Sequence, residues 1–574
     1  MPSSSRQLVA RCATVLIVSA CARNQAEQSV PAQPLPLKLA PAPTVAAITE
    51  RDLLTRLYVF ADDSMEGRRA GTEGNLRATA YIERELRRLG LEPAGDGGSY
   101  FQEVPVVRRA LDRNASLSID ERPLALGTDY LPYGGRGNPR DIDGAQAIYG
   151  GEWRDASTVP LALEQMKGRA VVFTLPAGDG DGAAEFEAIP RITGDSPLAP
   201  AAAIIFVNLE GMPARTRRAA ATPTIGLAAG RAGAALVVPR PIYMSRAAAE
   251  LLFGAPPATL RPGTTGRTLR GSLANVETAT PARNVVAILR GSDARLRGQY
   301  VAMGAHNDHI GVLEEPVDHD SLRAWNVESW HLRGMYAGLP ALTRQQRASI
   351  RVNVDSLRRL RPTRRDSINN GADDDGSGSM ALLEIAELLS SAKERPRRSI
   401  LFVWHTGEEI GLLGSRWYAD HPTVPRDSIV TQLNIDMIGR GRAEDIQGGG
   451  PSYLAIVGSR RLSTELGKLV ESVNREQRAP LDFDYRLDAP GHPENIYCRS
   501  DHYNYARYGI PIAFFFTNIH QDYHQVTDEP QYIDYPHYLR ITRYIGDLAV
   551  RVANLDHRPV VDGVKMDPNG YCQQ

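Results

Sequence analysis

The chain has 574 residues, more than one hydrophobic core usually serves, so two or more domains are expected, and a hydrophobic share of 42% is ordinary for a globular protein. Lys+Arg 66 against Asp+Glu 67 leave a formal net charge of -1, which gives no electrostatic footprint for nucleic acid.

Residues 1–21 read as an export signal. Arg6 and Arg11 precede an apolar stretch from Cys12 to Ala20 that is too short to span a bilayer, and Val18-Ser19-Ala20-Cys21 resembles a bacterial lipobox. On that reading Cys21 carries a lipid, the protein is exported to the periplasm or anchored at the outer membrane, and the lipid is its one membrane attachment. Residues 22–47, rich in Pro, Ala and Gln, read as a disordered tether. Within 48–109, Leu76, Ala80, Ile82, Leu86 and Leu89 fall on one side of a helix over Thr72–Leu89, with GTEGN as its capping turn.

From 110 to 275 short β-like runs such as AVVFTL (170–175), AAIIFVN (202–208) and ALVVP (235–239) alternate with Gly, Pro and Ala, which predicts a separate, mostly β domain inserted into the first. The pattern over 276–557 is strand, helix, strand. NVVAILRG (284–291), YVAMGAH (300–306), SILFVWHT (399–406), TQLNIDMIG (431–439) and IPIAFFFT (510–517) read as buried strands, with helices over 378–391, 459–477 and 500–509. The fold class is therefore α/β, a mixed, largely parallel sheet sandwiched by helices, with 558–574 as a C-terminal tail. Beyond Cys12 and Cys21 only Cys498 and Cys572 remain; an oxidising compartment permits their pairing, and two unpaired thiols are equally open.

Acidic and histidine clusters follow these strands: His306 and Asp308 in GAHNDHIG, Asp374 in GADDDGSG, Glu408 and Glu409 in HTGEEIG, Asp436 in NIDMIG, and His524 in DYHQ. One such residue would read as a turn former, but several at strand exits in one domain point to a ligand site beyond the carboxyl ends of the sheet. Carboxylates and imidazoles without cysteine suit a catalytic zinc site, which must leave positions open for water and substrate.

These motifs, with SDHYNYARYGIP and DYHQVTDEP in the same order, resemble the bacterial co-catalytic di-zinc aminopeptidases, relatives of glutamate carboxypeptidase II, and the insertion is similar to that family's protease-associated (PA) domain. The resemblance implies two zinc ions per chain, His306 and Asp436 binding one, Glu409 and His524 the other, and Asp374 bridging both. It makes Glu408 the general base and Tyr523 a donor to the oxyanion, acting on a peptide substrate. A shared carboxylate is what two closely spaced cations require, and an extended chain turns Glu408 and Glu409 opposite ways. Asp308 suits orientation of His306 through the other ring N–H. Asp373 and Asp375 read as turn and helix-start residues.

Removal of N-terminal residues from peptides is the leading expectation. Carboxypeptidase or dipeptidase action on the same metal core stays open, a glutaminyl cyclase is weaker because that branch uses one zinc, and a non-catalytic receptor on a peptidase scaffold would have lost ligands that this chain keeps. Residues 313–367, with Trp325, Trp330, His331 and an Arg-rich helical run over Thr343–Arg361, form an unusually long connection between two ligand-bearing motifs. It is read either as a lid over the pocket or as a solvated excursion. The oligomeric state is not specified by the sequence.

Overall fold

The protein is described by a computed structural model over residues 35–133, 142–153, 159–175, 196–228, 239–336, 338–352, 354–360, 362–570, 572 and 574. Cys21, the export segment and most of the strand expected over 235–239 lie outside the described residues.

A nine-stranded mixed sheet forms the centre. Its strands are β1 (Glu92–Pro93), β2 (Phe101–Glu103), β3 (Arg283–Leu289), β4 (Tyr300–His306), β5 (Ser399–His405), β6 (Ile429–Ile435), β7 (Tyr453–Val457), β8 (Asp482–Asp484) and β9 (Ile512–Phe516). They lie in the order β1-β3-β5-β4-β6-β9-β7-β8, with β2 also on β3. The four central strands β5, β4, β6 and β9 run parallel, and register pairs His306 with His405, Gly304 with Asn434 and Asn434 with Phe514, so their carboxyl ends stand level.

Both faces are covered, as the pleat requires. In β3, Val285, Ala287 and Leu289 enter one core while Val286 and Ile288 enter the other. The first core is closed by α1 (Glu50–Phe60), α2 (Glu73–Arg88), α4 (Gly378–Ser391), α5 (Thr464–Glu476) and α6 (Tyr535–Ala553), and the second by smaller elements together with Trp330 of α3 (His319–Arg333). Helix α4 is apolar almost all round and accordingly buried from Gly378 to Glu387. Each fully buried Leu or Ile stabilises the fold by roughly 1.5–3 kcal/mol. Thr72 caps α2 by accepting the Asn75 N–H, so GTEGN is a helix start.

Between Val106 and Thr280 the strands form two further sheets that share no ladder with the central one among the described residues. The larger has eight strands, of which Ala145–Glu152, Ala170–Thr174, Ala203–Val207 and Arg240–Met244 run parallel, and it carries apolar clusters of its own.

Two expectations change. Residues 35–47 are docked rather than loose: Leu35 and Leu39 pack on the core, and the Thr44 hydroxyl donates to Glu387 at 2.7 Å. The Arg-rich run is not one helix but two short ones, Arg344–Ser349 and Asp355–Leu360, because a Thr343–Gln346 capping box starts the first and Ile350 is extended after it. No described helix is long and apolar enough to cross a membrane.

Candidate metal centre

Every residue singled out for the site sits at the carboxyl end of the parallel strands. His306 is the last residue of β4, Asp436 follows β6 directly, Glu408 and Glu409 lie in the turn after β5, and Asp374 precedes α4. His524 and Tyr523 come from the loop after β9.

The Asp374 carboxylate is divided between two neighbours. Its Oδ1 lies 3.1 Å from His306 Nε2, which is 3.6 Å from Asp436 Oδ1. Its Oδ2 lies 3.1 Å from His524 Nε2, which is 2.9 Å from Glu409 Oε2. Donor atoms thus gather around two adjacent points that share one carboxylate. Burial opposes ionisation of Asp374, yet hydrogen bonds from His306 and His524 hold its carboxyl well below the usual range. Burial pushes the Glu408 carboxyl well up, opposed by His306 and reinforced by Glu409 and Asp436.

The frame behind the donors is built from backbone amides. Asp375, joined to Asp374 by a cis peptide, accepts the His306 N–H at 2.9 Å on one oxygen, and the Met437 and Gly378 N–H groups at 3.1 and 2.9 Å on the other. It starts the helix as expected and also ties β4 to β6. A Cβ on Gly378 would stand 2.2 Å from Asp375 Oδ1 and 2.5 Å from the Ile435 carbonyl, so only glycine lets the helix begin there. Asp373 accepts the Gly439 N–H at 2.7 Å and lies 3.2 Å from His520. Asp436 Oδ2 accepts from Ser500 at 2.7 Å, and Ser500 accepts from Asn434 at 2.9 Å, which fixes the rotamer that turns Oδ1 toward His306.

Asp308 differs from the expectation. The His306 Nδ1–H donates to the Asp308 carbonyl oxygen at 3.0 Å, whereas the Asp308 carboxylate is 3.8 Å away and accepts the Glu408 N–H at 3.1 Å. The two-residue spacing turns the chain so that the carbonyl reaches the ring first; the carboxylate is left to shape the Glu408 turn.

Two contributors escaped the sequence reading. His309, fully buried, donates from Nδ1 to Glu409 Oε1 at 2.6 Å; its one signal was a second histidine three residues after His306. Arg68, also buried, donates to the carbonyls of Asn370 and Gly371 beneath the Asp374 loop, and burial lowers its pKa to about 10. Gly67 lets it pass: φ is +61°, and a Cβ would meet the Gly311 oxygen at 2.5 Å.

Tyr523 stacks on His524 with ring centroids 3.8 Å apart, and its hydroxyl accepts from Arg499 at 3.4 Å. Above the donors opens a cleft of about 370 Å³, floored by Asp374, Glu408, Asp436 and Tyr523 and walled by Met437, Ile496, Phe514, Phe516 and Ile519, with Arg499 also lining it.

The residues fit a bound metal. Asp436 Oδ1 is buried without a hydrogen-bond partner, and the donor set of carboxylates and imidazoles is one that zinc accepts. A mixed α/β sheet whose parallel central strands carry such donors at their carboxyl ends forms a candidate metal centre. Residues 284–549 match the sequence profile of Peptidase family M28, and this segment belongs to that family.

Leucine aminopeptidase 1 of Paracoccidioides brasiliensis strain Pb03 is 28% identical over 234 residues, which cover 39% of this chain and 56% of that protein. Leupeptin-inactivating enzyme 1 of Streptomyces exfoliatus is 30% identical over 155 residues, 26% of this chain and 31% of its own. The chain thus spans little more than half the length of the first relative and a third of the other. Among solved structures, an aminopeptidase from Aneurinibacillus sp. strain AM-1 aligns over 90% of this chain and 97% of its own at 16% identity, with a TM-score of 0.47. The zinc aminopeptidase BSAP of Bacillus subtilis aligns over 90% and 99% at 15% identity, with a TM-score of 0.43.

Proposed function

We propose that this chain is an exported two-zinc aminopeptidase. The observation that carries the reading is the division of Asp374, whose two oxygens face different histidines. His306, Asp374 and Asp436 would hold one zinc, and Asp374, Glu409 and His524 the other. Zinc bound there supplies an acidified water and a polarised scissile carbonyl.

The chain's own residues do the rest. Glu408 projects into the cleft beside the donors, where it takes a proton from the attacking water and returns it to the leaving amine. Tyr523 places its hydroxyl to donate to the carbonyl oxygen as charge develops on it. The acidic floor suits a cationic α-amine, the apolar wall suits an uncharged side chain, and the names of the curated relatives agree with N-terminal cleavage. The disulfide between Cys498 and Cys572 supports an oxidising, exported setting. The separate sheets over 106–280 support a PA-like insertion, with substrate access or partner binding as its role.

Arg499 in the cleft favours a second reading, capture of a peptide carboxylate and hence carboxypeptidase action. Peptides blocked at the amino or the carboxyl end separate the two. For the leading reading, Glu408→Gln should lower kcat by about 10²–10⁴-fold with zinc content unchanged, measured by peptide hydrolysis and metal analysis; full activity in that variant would sink the assignment of the base.

A further inference from the structure

The connection between His306 and Asp374 begins and ends as a hairpin, Gly311–Asp318 paired with Arg365–Asn369, and between them α3 packs against the loop that carries Tyr523 and His524. His319, Arg323, Asn326 and Trp330 follow one another at helical spacing, so one face of α3 presents all four. This is the stripe that an ordinary helix fills with apolar residues.

Each of the four meets the His524 loop or its support. His319 Nε2 lies 3.1 Å from Glu529 Oε2, and Arg364, from the end of the same connection, lies 2.6 Å from the other Glu529 oxygen. Arg323 lies 3.5 Å from Asp522 and its guanidinium stacks 3.7 Å above the Tyr532 ring. Asn326 donates to the Thr527 hydroxyl at 3.3 Å. Trp330 donates to the Asp445 carbonyl, and Asp445 shares Arg440 with Asp522. Arg323 and Asn326 therefore join the two ends of a single tie, because Thr527 donates to Asp522 at 2.8 Å and so closes the turn that contains His524.

That turn needs holding. His524 has φ +57°, a conformation that is unfavourable for a non-glycine residue and persists only where its surroundings impose it. On the other side Asp528 accepts the N–H groups of Asp373 and Asp374, so the loop is clamped between the bridging-carboxylate segment and α3.

We propose that α3 is the positioning element of His524, setting how tightly the second zinc is held, rather than a lid or a solvated excursion. The inference rests on the two-zinc reading above. His319, Asp366 and Glu529 also lie close enough to offer donors to a metal, but Arg364 occupies that cluster, which makes it part of the clamp.

The test is competition for zinc with a chromophoric chelator, on the full chain and on the double variant Arg323→Ala/Asn326→Ala. The second dissociation constant should rise at least about 10-fold, the scale expected when groups orienting a ligand are removed, while the first stays unchanged. Arg323→Lys alone, which keeps the charge beside Asp522, should recover most of the affinity. If the double variant loses its near-ultraviolet dichroism, Thr527→Val breaks the same tie from the loop side and is read in the same way. Wild-type affinity for the second zinc in the folded variants overturns the role of α3 and leaves the two-zinc reading intact. A native chain that binds no more than one zinc overturns that reading, and this inference with it, before any variant is made.

Discussion

Glu409 spends its two oxygens on different partners. Oε1 accepts from His309 at 2.6 Å and Oε2 faces His524 at 2.9 Å, so the carboxylate offers one oxygen to a metal and cannot rotate to offer both. A ligand oriented in this way binds with less ordering left to do. His309→Ala should therefore weaken the zinc on the His524 side by about 10–100-fold and spare the one at His306, which stepwise zinc titration would resolve. The five proposed ligands were legible in the sequence because several acidic and histidine clusters recur at strand exits of one domain, which turn chemistry alone does not produce. His309 and Arg68 were not, because a buried histidine or arginine declares itself only through a partner distant in the chain, here Glu409 and the Asn370–Gly371 carbonyls.

Helix α4 shows how an element places a reacting group. Its first residue must be glycine so that the Asp375 carboxylate can cap it and at the same time grip β4 and β6. Gly378→Ala should cost about 1–3 kcal/mol in urea unfolding, through overpacking, and should lower zinc occupancy together with stability. Elements such as α4 and β4 were readable to within a residue or two, since a buried helix or strand is a continuous apolar run. The strand Gly311–Asp318 and helix α3 were not. The strand is largely exposed and shows no apolar alternation, and the inward face of α3 is polar, so neither carries the periodic signal that burial writes into a sequence. The same polarity split the run over 343–361 into two pieces, since little apolar surface was present to hold one long helix down.

At the scale of the whole molecule, buried groups that stay neutral set the acid limit. His502 is fully buried, stacks on Phe514 with centroids 4.5 Å apart and donates to the Tyr497 carbonyl at 2.8 Å; burial lowers its pKa to about 3. In the unfolded chain it returns to about 6.5 and binds a proton that the fold does not. Its contribution is therefore complete above pH 6.5 and is lost as pH falls toward 3, at up to about 1.4 kcal/mol per pH unit in that window. Urea midpoints measured at pH 7 and pH 5 should differ less in His502→Gln than in the native chain.

Cys498 and Cys572, which the sequence left open, are paired across 74 residues. Cys498 lies between Ile496 and Arg499, two residues that line the cleft, while Cys572 lies beyond a largely exposed run that includes Arg558 and Lys565. Cutting the chain after Lys565 would consequently detach nothing, because the bond keeps the severed end against the cleft wall. A nicked molecule would keep its size and shape under oxidising conditions, and an intact mass taken without reductant would conceal, save for one added water, a break that the reduced sample reveals at once.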